Sequence, residues 1–350
     1  MRSYTTALCA AIAGALLAGC GANMAPASSG GSAGPMSLRY VPMSVYGDAA
    51  PSRAVSVLHQ LAFPDKAKKL PSTGTYVTQF DSSAIFGYLA DNKANKKPIC
   101  SVSGVASVND VAVDLKGNLI DPDGGSSYVI VHKGPTMCGK ELGLIQDSAG
   151  QAADASSPDA VTGKIVVSNL AGPTSTAGTL SVCTLKGGCT VTLSNKTIYH
   201  SGGTAMAPNG DCWTDAKTSA SGGAALIYFK GCAGGGKVAT GFKPTYYGGI
   251  DLDNKGNLVI IDDMAEMVYI YSGCNPACKT VGGPFALKGE SFFGKLSADN
   301  STYTAVARAN AEVDVYSYST KGLKFQYSYN ADLVASEVPD GIAVNPRSKG

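Results

Sequence analysis

The chain has 350 residues, of which only 15% are charged, and 28 Lys and Arg against 26 Asp and Glu give a formal net charge of +2. A nucleic-acid binder needs a strongly basic surface, so this balance argues against that class. Glycine is abundant at 43 residues, and 17 tyrosines outnumber 9 phenylalanines. Such a composition suits many short strands joined by tight turns.

The N-terminus predicts an export signal. Arg2 supplies a positive charge, and residues 7–18 form an apolar run that is too short to span a bilayer as a helix. The run ends in "LLAGC", which resembles the lipobox of bacterial lipoproteins. The resemblance implies that residues 1–19 are a signal peptide and that Cys20 is lipidated. Because Gly21 and not aspartate follows the cysteine, it favours the outer membrane or the cell surface as the destination. The alternative is an ordinary secretory signal with a chance cysteine.

Two segments separate this signal from the rest of the chain. Residues 20–37 are uncharged and rich in Gly, Ser, Ala and Pro, which predicts a lipidated flexible tether. Residues 38–73 do not share the pattern that follows them. The stretch "SRAVSVLHQLAF" (52–63) is compatible with one short helix or with a loose extension.

A strand–turn–strand phrase then recurs about every 46 residues. Its clearest copies are "DVAVDLKGNL" (110–119) and "GIDLDNKGNL" (249–258), in which Asp114 corresponds to Asp253. Each repeat holds four short runs of alternating, β-branched and aromatic residues, bounded by Gly, Asn and Asp. A period of about 40–50 residues with four strands per unit is typical of propeller blades.

The two ends of the repeat region complete one blade. The segment "PDGIAVNPRSKG" (339–350) is a first strand and its turn, whereas "GTYVTQFDSSAIFGYL" (74–89) is a second and third strand with no first. Joining them removes the sheet edges that would otherwise be exposed. We therefore predict an all-β fold for residues 74–350: a six-bladed β-propeller of four-stranded antiparallel blades, closed by the C-terminal strand joining the N-terminal blade.

The phrase "GIxVDxxGNLxVxD" resembles the repeat of NHL-type propellers. The resemblance is good in the blades that hold Asp114 and Asp253 and fragmentary in the others. It implies a propeller that binds proteins, peptides, RNA or sugars on one face, and it implies no single activity.

Eight cysteines remain once Cys9 in the signal and Cys20 are set aside. An even number in an exported chain favours disulfides. A zinc site is less favoured, because one C-x3-C spacing occurs without a second pair and the chain has three histidines. The predicted bridges close two turns, join neighbouring strands of one repeat and, by elimination, link the remaining pair: Cys183–Cys189, Cys274–Cys278, Cys212–Cys232 and Cys100–Cys138.

Ligands of propellers usually bind at the mouth of the central channel, where the first strand of each blade begins. Lactonase-type six-bladed propellers hold a divalent cation there with a ring of Glu, Asn and Asp, and hard cations take about six oxygen ligands. In this chain Asn109 and Asp340, with neighbouring Asp110 and Asp159, supply the oxygens. The six repeat positions are Asn109, Ala155, Gly202, Gly248, Gly294 and Asp340.

Four of these six positions are Gly or Ala, so a calcium-dependent enzyme is possible but not favoured, and no cofactor is predicted. Nucleophilic catalysis has little support either, because no G-x-S-x-G occurs and no histidine has a recognisable nucleophile beside it.

Aromatic residues precede two of the mouth positions: Tyr246 and Tyr247, and one period later Phe292 and Phe293. One interpretation is an aromatic lip that stacks on a sugar or grips a peptide side chain. The favoured interpretation is that the rings pack between blades.

The turns between second and third strands should lie on the same face as the mouth. Their carboxylates form a predicted rim, and "DPDGGS" (121–126) resembles the start of a calcium loop without its distal Glu. The favoured interpretation is that these are solvated turn residues, because turns select Asp and Gly. The rim residues are Asp81, Asp121, Asp123, Asp215, Asp262 and Asp263.

We therefore predict an exported, lipid-anchored propeller that acts as a binding or scaffold module without covalent chemistry. Its partner, an envelope protein, a peptide or a saccharide, would bind on the mouth face. The alternatives are a metal-dependent hydrolase or lyase of lactonase type, and a cell-envelope assembly or adhesion protein.

Overall fold

The computed structural model describes residues 70–80, 84–103, 108–123, 128–147, 155–161, 163–170 and 177–350. The predicted signal peptide, Cys20, the tether and nearly all of the N-terminal extension lie outside these residues. The described chain contains 24 strands arranged in six four-stranded antiparallel sheets. This six-bladed β-propeller confirms the predicted fold class. In the described part of the chain, no helix has the length and apolar character needed to cross a bilayer.

The blades follow one another along the chain. Blade 2 comprises β4 (Ala112–Val113), β5 (Leu119–Asp123), β6 (Tyr128–His132) and β7 (Glu141–Gln146). Blade 3 comprises β8 (Ala155–Val161), β9 (Lys164–Asn169), β10 (Thr179–Thr184) and β11 (Gly188–Leu193). Blade 4 comprises β12 (His200–Met206), β13 (Cys212–Ser219), β14 (Gly222–Phe229) and β15 (Lys237–Val238).

Blade 5 comprises β16 (Ile250–Leu252), β17 (Leu258–Asp262), β18 (Met267–Ser272) and β19 (Lys279–Ala286). Blade 6 comprises β20 (Gly294–Leu296), β21 (Thr302–Ala307), β22 (Glu312–Ser319) and β23 (Gly322–Tyr329). Blade 1 comprises β24 (Pro339–Asn345), β1 (Gly74–Gln79), β2 (Ala84–Leu89) and β3 (Cys100–Ser103). Short 3₁₀ turns occupy Lys230–Cys232, Arg308–Asn310 and Ala335–Glu337.

The C-terminal strand closes the ring. β24 pairs antiparallel with β1, from Gly74 opposite Asn345 to Gln79 opposite Pro339. Blade 1 therefore has its first strand from one end of the chain and its other three strands from the other end. The predicted closure is confirmed, and it leaves β1 paired on both sides.

The repeated phrase forms the turn between the first and second strands. In blade 5 the Asp253 carboxylate accepts hydrogen bonds from the backbone N–H groups of Lys255 and Asn257, each at 2.9 Å. The Asn257 amide donates back to the same carboxylate at 2.8 Å. Gly256 has φ 75°, a left-handed value at which a side chain is strained. Blade 2 repeats these bonds from Asp114, so the D-x-x-G-N signature is a turn motif.

The hydrophobic core consists of layers between adjacent blades, which we call seams. Successive residues of a strand point to opposite faces, so each strand feeds two seams. In β17, Leu258 packs with Trp213 of blade 4, whereas Val259 packs with Tyr303 of blade 6. No blade can bury both of its faces without two neighbours, which is why the ring must close.

All four predicted disulfides are present. Cys183–Cys189 lies in the β10–β11 hairpin, and Cys274–Cys278 closes a tight turn after β18. Cys212–Cys232 ties β13 to the 3₁₀ turn after β14 within blade 4. Cys100–Cys138 joins β3 of blade 1 to the β6–β7 connection of blade 2. The last bridge therefore links adjacent blades next to the closing strand.

Replacing a core residue of the closing strand should destabilise the propeller. Ile342 in β24 is fully buried and packs with Val77 and Val306. We expect Ile342→Ala to lower the free energy of unfolding by about 2–4 kcal/mol. Chemical denaturation followed by circular dichroism measures this change.

The matched control is Val238→Ala on β15, where the side chain is 44% exposed. This change should cost less than about 0.5 kcal/mol. Equal effects of the two substitutions would contradict the assignment of β24 to the folded core.

Candidate functional site

Two polar side chains reach the predicted mouth positions, from Asn109 and Asp340. Both are buried, with 7% and 1% of their surface exposed. Thr78 lies between them: its hydroxyl donates to the Asn109 carbonyl at 3.0 Å and accepts from the Gly341 N–H at 2.7 Å. In the described residues, no three His, Cys, Asp or Glu side chains come together in a geometry suited to a metal ion.

Arg308 occupies the mouth and holds Asp340. It begins the 3₁₀ turn that follows β21, and its Nε and Nη2 both lie 2.5 Å from Asp340 Oδ1. Its guanidinium carbon is 4.8 Å from the Phe292 ring centroid, and its Nη1 is 4.0 Å from Glu290 Oε1. The candidate cation ligand Asp340 therefore already serves a cationic side chain of the protein.

Three carboxylates, those of Asp340, Glu290 and Asp263, lie near the single Arg308 guanidinium at the mouth. We call these four residues, Arg308, Asp340, Glu290 and Asp263, the mouth cluster. Asp263 is 4% exposed. Asp263 Oδ1 and Asp340 Oδ2 are both buried, and neither accepts a hydrogen bond from any described residue. Burial raises the pKa of Asp263 to about 7, although nearby Arg308 opposes this rise. Burial also raises the pKa of Asp340, again against Arg308. The mouth cluster thus offers two unused acceptor oxygens.

Three of the four predicted aromatic residues are buried between blades, and the fourth is half-buried. Tyr247, Phe292 and Phe293 are no more than 4% exposed and belong to the seam between blades 6 and 1. Tyr247 meets Phe292 edge-on, with ring centroids 5.2 Å apart. The rings therefore pack between blades. Tyr246 is half-buried at the edge of this cluster, and Lys217 Nζ lies 5.7 Å above its ring.

Asp110 lies deeper in the channel, where it links three blades. Its carboxylate accepts from the Ser157 hydroxyl at 2.8 Å and from the Ile342 N–H at 3.0 Å. Burial raises the pKa of Asp110 to about 7, and Lys295 together with the hydrogen bonds limits the rise. Asp110 therefore joins the inner strands and does not face a ligand at the mouth.

Asp159 is not at the mouth, which corrects its predicted place. It pairs with Arg347, which lies beyond the end of β24, and its Oδ2 accepts from the Met206 N–H at 2.7 Å. Arg347 also donates to the Ala160 carbonyl at 3.0 Å. A strand advances about 3.3 Å per residue, so the four residues from Ala155 to Asp159 place the carboxylate about 13 Å along the strand from the mouth position.

The far end of the channel, opposite the mouth, is filled by charged side chains. Lys295 donates to the Ile250 carbonyl at 3.0 Å, and Asp251 accepts from the Leu296 N–H at 2.7 Å. The cavity left between these residues, Asp159 and Arg347 measures about 20 Å³. That volume is close to the space of one water molecule and is too small for a larger ligand.

The predicted rim of solvated aspartates is wrong for the described members. Asp215 and Asp262 are fully buried in second strands, within β13 and at the end of β17 respectively. Asp262 accepts from the Thr245 N–H at 2.6 Å, and Asp215 accepts from the Gly248 N–H at 3.1 Å. Both carboxylates accept from the segment that enters blade 5, which is the next blade for Asp215 and the same blade for Asp262. Asp121, Asp123 and Asp263 are at most 4% exposed, whereas Asp81 lies outside the described residues.

Sequence reasoning missed the two arginines. The strand register that aligns Leu258 with Tyr303 aligns Asp263 with Arg308, so blade 6 has a base where blade 5 has an acid. That reversal is the signal that would have found it. The repeat aligns Arg347 with Lys116 and Lys255, so its basic character alone did not single it out.

Comparison with known proteins supports the fold. No protein-family model and no curated protein matches the chain. A chain from the crystal structure of a nidogen/laminin complex is 10% identical, with a TM-score of 0.54, covering 79% of this chain and 99% of that one. A protein of unknown function from Bacteroides caccae is 12% identical, with a TM-score of 0.54 and the same coverage.

A third structure, of a protein from Lactobacillus plantarum, is 11% identical, with a TM-score of 0.51, and the match covers 79% of this chain and 89% of that one. At such low identities these similarities establish the β-propeller architecture and nothing about activity.

Asp110 should make stability depend on pH. Because its pKa is about 7 in the folded protein and about 3.9 in an unfolded chain, the folded state binds more protons between these values. Its contribution to the free energy of unfolding therefore falls as the pH rises from about 4 to 7. We expect Asp110→Asn to reduce the loss of stability between pH 5 and pH 8 by about 2–4 kcal/mol.

Denaturant titrations at the two pH values measure this difference. Asp299→Asn is the control, because the pKa of this exposed carboxyl is lowered to about 2 by hydrogen bonds from Ser297 and Ser301, below the tested range. An unchanged pH dependence in Asp110→Asn would contradict the assignment.

Proposed function

We propose that this protein is an exported, lipid-anchored propeller that binds a partner bearing a positively charged group at the channel mouth. The four disulfides indicate an extracytoplasmic protein, since such bridges persist in oxidising compartments. The lipid anchor rests on the "LLAGC" sequence that ends at Cys20. Binding would use shape and hydrogen bonds, without covalent chemistry.

The observation that carries this proposal is the pair of unused acceptors in the mouth cluster. Asp263 Oδ1 and Asp340 Oδ2 are buried without hydrogen-bond partners among the described residues. A buried acceptor left unpaired costs about 1–3 kcal/mol, and more when charged. An ammonium or guanidinium group of a partner that donates to one of these oxygens would recover part of that energy.

Half-buried Tyr246 at the edge of the cluster supports the same class of ligand. Its ring already lies beside one ammonium, that of Lys217. An aromatic face attracts cations by about 0.5–2 kcal/mol. One structural neighbour comes from a nidogen/laminin complex, so a propeller of this kind occurs in an assembly of two proteins.

Peptide binding tests the proposal directly. We expect a fluorescent tetralysine peptide to bind the purified protein and a tetraglutamate peptide to bind much more weakly. Asp263→Asn should weaken tetralysine binding about tenfold, because one charge-assisted hydrogen bond is lost. Fluorescence anisotropy at fixed ionic strength gives both affinities.

Asp299→Asn removes the same charge from an exposed turn near the far end and serves as the control. If both substitutions weaken binding equally, only net charge matters and the proposed site is wrong. Elemental analysis of the purified protein adds a further outcome: a divalent cation lost on Asp340→Ala would replace this proposal with a metal-dependent activity.

The lipid anchor has its own test. Cys20→Ala should move the protein from the membrane fraction to the soluble fraction of bacterial cells, because the acylated residue is gone. Cys9→Ala, within the apolar run of the signal, should leave the fractionation unchanged. Membrane association that survives Cys20→Ala would exclude lipidation as the anchor.

A further inference from the structure

A cleft of about 390 Å³ opens between blades 6 and 1, at the face opposite the mouth. We call this seam the closing seam, because it lies beside the closing strand β24. Its lining includes hydroxyl groups from both blades, among them those of Thr75 on β1 and Thr304 on β21. Small-molecule sites in proteins typically measure about 300–1,000 Å³, so the cleft is large enough for a ligand.

The closing seam differs from the other five at equivalent positions. In every blade the second strand pairs with the first strand, and this register shows which residues of the six second strands occupy equivalent positions. The equivalents of Thr75 in blades 2 to 6 are Leu119, Ile165, Cys212, Leu258 and Tyr303. The equivalents of Thr304 in blades 1 to 5 are Tyr76, Ile120, Val166, Trp213 and Val259.

At each of the other seams these positions belong to a continuous hydrophobic cluster. The clustered pairs are Tyr76 with Leu119, Ile120 with Ile165, Val166 with Cys212, Trp213 with Leu258, and Val259 with Tyr303. At the closing seam the hydrophobic cluster covers the half nearer the mouth, and Thr75 and Thr304 line a cavity in the other half. The closing seam therefore has a cavity lined by polar groups where the other five seams have apolar packing.

Several polar groups of the cleft already form hydrogen bonds within the fold, whereas the Thr304 hydroxyl does not. Thr304 is 5% exposed, and its hydroxyl has no hydrogen-bond partner among the described residues. Ser317 and Gln326 bond to each other at 3.2 Å and also line the cleft. This hydroxyl is not fully buried, so it faces the space of the cleft and is available to a ligand. A cavity lined this way takes up water or a polar ligand, whereas cavities that stay empty are apolar.

The rim of the cleft adds an aromatic ring and two balanced charges. Lys93 Nζ lies 5.5 Å from the Tyr327 ring centroid and 3.6 Å from the Asp91 carboxylate. Val315 and Val344 supply apolar surface beside the hydroxyls. The cleft thus combines donors, acceptors, an aromatic ring and no net charge.

We propose that the closing seam binds a neutral saccharide of one or two sugar units. A sugar has hydroxyls that both donate and accept, which matches the Thr, Ser and Gln side chains. The C–H face of a sugar ring can pack against the Tyr327 ring and the two valines. A neutral ligand matches a rim in which the charges of Asp91 and Lys93 balance. The site lies on the face opposite the mouth cluster, so this proposal does not depend on the proposed function.

The test uses the purified protein and a panel of neutral sugars: glucose, galactose, N-acetylglucosamine, cellobiose and lactose. At least one should raise the melting temperature in a concentration-dependent manner, because a ligand of the folded state stabilises it. The same sugar should shift the backbone amide resonances of Thr75 and Thr304.

Thr304→Val is the decisive variant. It places in blade 6 the residue that blade 5 has at position 259, so the protein should be as stable as the wild type or more so. Its affinity for the sugar should fall about tenfold, because a hydrogen-bonding hydroxyl is lost. Thr280→Val, on the exposed face of β19, is the matched control and should bind as the wild type does.

Asp91→Ala provides a second variant, because Asp91 is largely exposed and its loss cannot unfold the protein. It should weaken sugar binding about tenfold while the melting temperature without sugar stays unchanged. If no sugar of the panel stabilises the wild type, or if neither Thr304→Val nor Asp91→Ala weakens binding, the cleft is a hydrated seam and the proposal is wrong.

Discussion

Pairing of β24 with β1 is the interaction on which the rest of the structure depends. Each blade exposes two apolar faces, and a ring with a missing strand would leave one seam without a complete partner. The antiparallel register from Gly74–Asn345 to Gln79–Pro339 supplies that strand. The same strand brings Asp340 to the mouth, and Arg347 follows it at the far end. The strand that closes the ring therefore also brings charged residues to both ends of the channel.

The centre of the ring is held by carboxylates that bridge neighbouring first strands. Asp110, Asp159 and Asp251 each accept a backbone N–H from the first strand of an adjacent blade. First strands are hydrogen-bonded to their own blades on one side, so their channel-facing N–H groups need other acceptors. Buried carboxylates in turn need cations or donors, which Arg308, Arg347 and Lys295 supply. The channel is thus a structural core, and binding is left to its mouth and to the seams.

The repeat explains why the architecture was predictable. A period of about 46 residues defined the six blades, the closure and the disulfide pairs, because all three follow from position within a blade. Burial of the aspartates was not predictable in the same way. Asp and Gly are favoured both in solvated turns and where a carboxylate accepts buried backbone N–H groups, as Asp262 does from Thr245.

The site residues that sequence reasoning missed depart from the repeat. Arg308 reverses the charge of Asp263, and Thr304 replaces the apolar residues of the other blades. Periodicity identifies the residues that the repeats share, so a functional residue present in one repeat looks like ordinary sequence variation. Asp159 was misplaced for another reason: it is near Ala155 in sequence, but an extended strand separates the two along the channel axis.

Hydrogen–deuterium exchange of the backbone amides tests ring closure most directly. If β24 is an integral strand, the amides of Tyr76, Val77 and Ala343 will exchange as slowly as that of Val259 in blade 5. All of them would then exchange through global unfolding. Rapid exchange of β24 and β1 while blade 5 stays protected would show an open ring, and it would contradict closure by the C-terminal strand.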